Sequence, residues 1–245
     1  MDDLILALET SSEHGSVALG RNGALRAERT LPADRRHTGQ LLPTIQALLA
    51  AEGVAPADVA AVAFSRGPGS FTGLRVAATI ARLWHAATGA PVVAVPTLAA
   101  IARNLLPLTQ PGETIAVLRA ARAGQVFGAL FARTDVGGLE LLAEATRHDA
   151  AAWIAGLPPG AWVAGDGVPA LAEALAACGA RLAPAETWVP RAAQVLALAA
   201  ERHAAGAHAT PADMVPLYLR PPECEEVYEA RRAAARTRRA GSREA

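Results

Sequence analysis

Residues 64–75 read Phe-Ser-Arg-Gly-Pro-Gly-Ser-Phe-Thr-Gly-Leu-Arg, and no other stretch restricts the fold as much. The run from Val59 to Phe64 is short and apolar, the pattern of a buried strand. It enters a turn containing Gly67, Pro68, Gly69 and Gly73. Leu74, Ala77, Ala78 and Ala81 then recur at helical spacing, and Gly89 with Pro91 supplies a stop. Ser70 or Thr72 is placed to cap that helix, with Arg75 in its first turns. A strand, a glycine-rich turn and a helix can serve two ends. The turn can aim backbone N–H groups and the positive end of a helix dipole at an anion. Alternatively, its glycines let the helix pack tightly on the strand.

The rest of the first half alternates in the same manner. Leu4–Glu9 reads as a strand, and Ser16–Leu19 with Ala24–Arg29 flanks the hairpin signal Asn22-Gly23. Leu41, Leu42, Ile45, Leu48 and Leu49 form a helical stripe over Gln40–Glu52, ended by Gly53, with Pro43 expected near the helix start. Pro91–Val95 is a strand, and Thr97 is placed to cap a helix over Leu98–Leu105. Residues 107–112 are a polar, proline-bearing break, where a boundary between lobes 1–108 and 109–220 is expected. The second half restarts with strands Thr114–Leu118 and Gln125–Ala132 around a turn, echoing the opening hairpin. Trp162–Ala164 is a strand, Gly165-Asp166-Gly167 a turn, Val168–Ala177 a helix, and Pro190–Ala205 a longer alanine-rich helix. Residues 221–245 hold six arginines and five glutamates without an apolar stripe and are expected to be disordered. The competing reading is a basic contact patch.

Composition excludes several functions. All 23 basic residues are arginine and they balance 23 acidic ones. A net charge of zero argues against a protein that grips nucleic acid alone, because phosphate neutralisation supplies most of such affinity. Without lysine there is no phosphate-cradling P-loop, Schiff base or lysine general base. Cys178 and Cys224 form no CxxC. The six histidines show no HxxH, HxxxH or HExxH spacing. His203 and His208 flank Gly206 five residues apart, so a helix would not put them on one face, and no metal site is expected. The acidic start, Met1-Asp2-Asp3, has the wrong sign for a secretory signal and no apolar stretch is long enough to span a bilayer, so a cytoplasmic location without membrane contact is expected.

The wording of residues 66–75 strongly resembles the hallmark of the bacterial TsaB (YeaZ) family, the non-catalytic partner in making threonylcarbamoyladenosine on tRNA. Leu4–Glu13, Gly15–Leu19, Arg36-His37-Thr38 with Leu41-Leu42-Pro43, and the closing Pro216–Arg220 match the family in order. The resemblance implies a two-lobed α/β fold of the actin-like ATPase (ASKHA) superfamily. It implies a scaffold that binds the transferase TsaD and acts with the ATPase TsaE. Contact with tRNA is expected only through the complex, and the chain alone is expected to form a homodimer. No cofactor of its own is implied; ATP or ADP is expected only at the interface of the assembled complex. The rival readings are a nucleotide-binding actin-like enzyme acting alone and, last, a metallopeptidase.

Candidate sites follow from the residues and the resemblance together. Glu9, Thr10 and Ser11 end the first strand, where actin-like ATPases place metal and phosphate ligands; the family usually has aspartate where this chain has Glu9. A turn cap is the preferred reading of Glu9, and a turn that of Gly165-Asp166-Gly167. The segment 120–127 keeps Arg122 and Gly124 but has Ala120, Gln125 and Phe127 in place of more polar family residues, which favours a structural role. No catalytic residue is expected. The glycine-rich loop comprises Gly67, Pro68, Gly69, Ser70, Phe71, Thr72 and Gly73. Two helices carry the partner expectation: Leu41, Leu42, Ile45 and Leu49 on the first, and Ala77, Ala81 and Trp84 on the second, whose Arg75, Thr79 and Arg82 share another face. The competing reading makes both stripes core.

Overall fold

The computed structural model describes residues 3–32, 37–122, 124–217 and 219, with His37 and Thr38 by their backbone only. Two five-stranded mixed sheets organise the chain. The first contains β1 (Leu4–Glu9), β2 (Ser16–Arg21), β3 (Ala24–Thr30), β4 (Ala61–Gly67) and β5 (Val92–Pro96) in the order β3-β2-β1-β4-β5. The first three strands are antiparallel; β4 and β5 join β1 in parallel. Asn22 and Gly23, both at positive φ, turn β2 into β3 as the hairpin signal required.

The second sheet repeats the plan. β6 (Thr114–Ala120), β7 (Gln125–Arg133), β8 (Leu139–Asp149), β9 (Trp162–Ala164) and β10 (Arg181–Leu182) run β10-β9-β6-β7-β8. Three antiparallel strands are again followed by two parallel ones. Counted from its own first strand, each sheet has the order 3-2-1-4-5, the duplicated two-lobed arrangement expected of an actin-like fold.

Period-two alternation in β1 builds two cores at once. Leu6 and Leu8 face α1 (His37–Ala51) and α2 (Phe71–Thr88), packing with Leu41, Ile45, Leu48, Phe64 and Ala77. Ile5 and Ala7 face the other way, against α3 (Thr97–Arg103) and α6 (Ala192–Ala204). That second core continues into Ile115, Val117 and Phe131 of the other sheet, so one apolar layer joins both lobes. A third core closes the outer side of the second sheet, under α4 (Ala150–Ala155) and α5 (Val168–Ala177).

Several details depart from expectation. Pro43 lies inside α1, because the helix starts at His37; its missing N–H leaves the Gly39 carbonyl without the usual helical donor. Thr97 does not cap α3: Pro96 holds the cap position without a side-chain bond, and the Thr97 hydroxyl is buried with no partner among the described residues. β8 and α4 carried no sequence signal. Finally, α6 returns to the first sheet, where Ala192 N donates to Ser16 Oγ (2.9 Å) and Ala193 N to Glu28 Oε1 (3.0 Å). Helix α6 therefore lies on the first lobe, although it follows the second in sequence.

Candidate functional site

The glycine-rich turn connects β4 to α2 through a cis Gly67–Pro68 bond. Ser70 is the cap, its Oγ accepting from Gly73 N at 3.2 Å. The turn lies directly on the end of β1. Ser70 N donates to the Ser11 carbonyl (2.7 Å), and Thr10 Oγ1 donates to the Gly73 carbonyl (2.8 Å). A Cβ on Gly73 would sit 1.9 Å from the Thr10 carbonyl oxygen, and one on Gly69 2.5 Å from that of Ser11. Of the two readings of this turn, the geometry supports packing. The glycines let helix and strand backbones meet, and the N–H groups of Ser70 and Gly73 are engaged by the Ser11 carbonyl and Ser70 Oγ.

Glu9 is fully buried. Its Oε1 accepts from Ser11 N (2.5 Å) and Ser11 Oγ (2.6 Å), while Oε2 accepts from Ser65 Oγ. Burial pushes the carboxyl above the ordinary carboxylate range; the hydrogen bonds from Ser11 and Ser65, and Arg119 nearby, pull the other way. Both oxygens are thus directed at the protein, and Glu9 ties the strand end to the following turn.

Beside it, Arg119 at the end of β6 crosses between the lobes. Its Nε and Nη2 donate to Asp166 (2.9 and 2.8 Å), and its Nη1 to the carbonyls of Ser11 (2.9 Å) and Pro68 (3.0 Å). Asp166, in the Gly165–Gly167 turn, also accepts from Ala120 N (2.9 Å). A cavity of about 720 Å³ opens there, walled by Ser12, His14, Ser70, Asp166 and Trp188. Sequence reasoning missed Arg119, because one arginine at a strand end carries no local signal. At the 120–127 hairpin, Ala121 N donates to Gln125 O at 3.0 Å.

The two helices divide unequally between core and surface. Leu41, Ile45 and Leu49 are buried under the first sheet with Ala77 and Ala81, so they do not form a surface face; Leu42 is 49% exposed. The burial follows from the stripe itself: positions 41, 45, 48 and 49 lie on one side of α1 and the sheet covers that side. On α2, Arg75, Thr79 and Arg82 are exposed, with Leu83 (64%) and Phe71 (48%). The Arg75 guanidinium lies 3.7 Å from the Phe71 ring centre. Trp84 is half-buried and its indole N–H has no partner among the described residues.

His203 and His208, expected apart, touch: His203 Nδ1 lies 3.0 Å from His208 Nε2. The expectation assumed a continuous helix, but α6 ends at Ala204 and the chain doubles back. Arg36, Tyr218, Arg220, the 221–245 segment with Cys224, and the side chains of His37 and Thr38 lie outside the described residues.

The comparisons place this geometry. Residues 31–234 match the family model described as TsaD: tRNA N6-adenosine threonylcarbamoyltransferase. A solved structure described as YeaZ from Pseudomonas aeruginosa superposes with a TM-score of 0.73 at 28% identity, over 88% of this chain and 99% of that one. The fold is that of a two-lobed protein of the TsaD-like class. Within it, the tRNA threonylcarbamoyladenosine biosynthesis protein TsaB of Escherichia coli is 31% identical over 223 residues, 88% of this chain and 94% of its own. TsaB of Haemophilus influenzae is 39% identical over 132 residues, 54% of this chain and 55% of its own. The chain belongs to the TsaB family.

Proposed function

We propose that this chain is a non-catalytic scaffold in threonylcarbamoyladenosine formation on tRNA, binding a TsaD transferase through the outer face of α2 and the exposed flank of α1. The observation that carries this reading is the division of polar groups. At the strand ends Glu9, Ser11, Ser65, Arg119 and Asp166 bond to one another or to backbone, whereas Arg75, Thr79 and Arg82 line an exposed helix face with Leu83 and Phe71. Neither α1 nor α2 contains an acidic residue. The partner surface that fits is therefore apolar with carboxylates opposite Arg75 and Arg82. Two copies meeting through this face would bring like charges together, so a heterologous partner is favoured over a homodimer.

The test uses Leu42→Asp with Leu83→Asp, two exposed positions whose change spares the core. Mixed with TsaD from the same organism, the wild-type chain forms a heterodimer on size exclusion with light scattering, and the variant binds at least about tenfold more weakly, roughly 1.4 kcal/mol. A folded variant with unaltered affinity would remove this face from the proposal.

A further inference from the structure

The histidine pair at the end of α6 is a built feature. Gly206 takes a left-handed φ of +70°, and Ala207 N donates to Arg202 O at 2.8 Å, which reverses the chain and lays His208 on His203. The ring centres are 5.0 Å apart. On its far side, His203 Nε2 lies 3.6 Å from Asp3 Oδ2. Backbone bonds fix the surroundings: Ala209 N donates to Val92 O (2.7 Å), Asp3 N to Asn22 Oδ1 (2.9 Å), and Asn22 N to Asp3 O (3.0 Å). A cavity of about 550 Å³ opens alongside, with Asp3, Asn22, Glu201 and His203 in its wall.

We propose that His203 and His208 form a two-nitrogen site for a late first-row divalent ion of the zinc, nickel and copper class, with Asp3 orienting His203. A carboxylate beside one ring nitrogen keeps the proton there and turns the other lone pair outward, the usual outer-shell arrangement of metal-bound histidine. Asp3, 3.6 Å from Nε2 and beyond hydrogen-bond distance, attracts the proton to that side electrostatically, which leaves the Nδ1 lone pair facing His208. Zinc–nitrogen bonds of about 2.0–2.1 Å put two ligands about 2.9 Å apart at a right angle and about 3.3 Å apart in a tetrahedron. The observed 3.0 Å lies within that interval. Imidazole donors suit these ions, whereas magnesium and calcium require oxygen ligands. Glu201 is held by Arg103 at 2.9 Å, and no three metal-binding side chains converge among the described residues. Two nitrogens are then the protein's share, and water or a bound molecule completes the coordination. In the neutral pair, binding displaces the N–H that joins the rings, and His208 carries its proton on Nδ1 instead.

The experiment is calorimetric titration of the full chain, purified without a histidine tag, with zinc, nickel, copper and magnesium chlorides. One equivalent of zinc binds; His208→Ala weakens it at least tenfold, and Asp3→Asn, which keeps the backbone bonds, weakens it about tenfold. Magnesium gives no heat. Copper-bound protein shows hyperfine coupling to two imidazole nitrogens, reduced to one in His208→Ala. His208 is exposed, so that variant keeps its fold. Absence of one-equivalent binding, or binding and spectra indifferent to His208→Ala, would overturn the site and leave a plain hydrogen bond between the rings.

Discussion

Gly39 and Gly73 are each the third residue of a helix, yet the structure assigns them opposite responses to alanine. Around Gly39 no atom lies within 4 Å of an added Cβ, so Gly39→Ala only lowers the entropy of the unfolded chain and stabilises by about 0.5 kcal/mol. At Gly73 the Cβ would lie 1.9 Å from the Thr10 carbonyl oxygen, and relief to ordinary contact needs a movement of about 1.5 Å. That movement breaks the Thr10 Oγ1 bond to Gly73 O and the Ser70 N bond to Ser11 O, now 2.8 and 2.7 Å. Two bonds lost at about 1 kcal/mol each, with overpacking of about 1–3 kcal/mol, outweigh a helix-propensity gain of about 1 kcal/mol. Gly73→Ala should destabilise by about 2–4 kcal/mol, a large part of the roughly 5–15 kcal/mol typical of a folded protein. Urea denaturation of the three proteins measures this, with the midpoint of Gly73→Ala lowered by about 1 M at a slope of about 3 kcal/mol/M. A Gly73→Ala protein within 0.5 kcal/mol of wild type would refute the packing account. The turn would then have to be kept for a ligand.

Glu9 makes a pH-dependent prediction. Because burial raises its carboxyl above the ordinary value of 4.5, the folded protein holds that proton more tightly than the unfolded chain. Its contribution is complete below pH 4.5 and is lost as pH rises through the folded value. Glu9→Gln should therefore equal or exceed wild type in stability at pH 8 and remove this component of the decline from pH 5 upward; a mutant markedly weaker at pH 8 would show a carboxylate ionised and paired. Arg119→Ala removes a donor from two carbonyls and Asp166 and should cost about 1.5–3 kcal/mol in thermal unfolding, while Asp166→Asn, which keeps an acceptor for Ala120 N, costs less. Equal losses would place the stabilisation in the ion pair alone.

Strands β1 and β4 and helices α2 and α5 were legible because their signals are local: apolar runs or stripes ended by glycine, proline or a capping serine. β8 was not, since Glu140, Leu141, Leu142, Ala143 and Glu144 neither alternate nor favour extended chain, and pairing with β7 imposes the strand. The destination of α6 was equally hidden: an apolar face is visible in sequence, but the sheet it covers is not. On α1 the stripe identified the side that is buried, not which surface buries it, and three leucine or isoleucine positions offered as interface proved to be core. The glycine-rich turn was legible as wording. Its purpose depended on which atom lies against a missing Cβ, a fact of tertiary structure.

The polar groups at the strand ends form one connected chain: Ser65 to Glu9, Glu9 to Ser11, Ser11 to Arg119, and Arg119 to Asp166. It runs from β4 through the end of β1 to the second lobe. A substrate recognised there would have to replace these bonds with its own, and each buried group it left unmatched would cost about 1–3 kcal/mol. An acid–base mechanism would also need the Glu9 carboxyl to face the cleft, but both its oxygens point to serines. The outer face of α2 carries less of this cost, because Thr79, Arg82 and Leu83 are exposed to solvent. Binding energy is therefore more readily gained on the helix than in the cleft, as the proposed scaffold role requires.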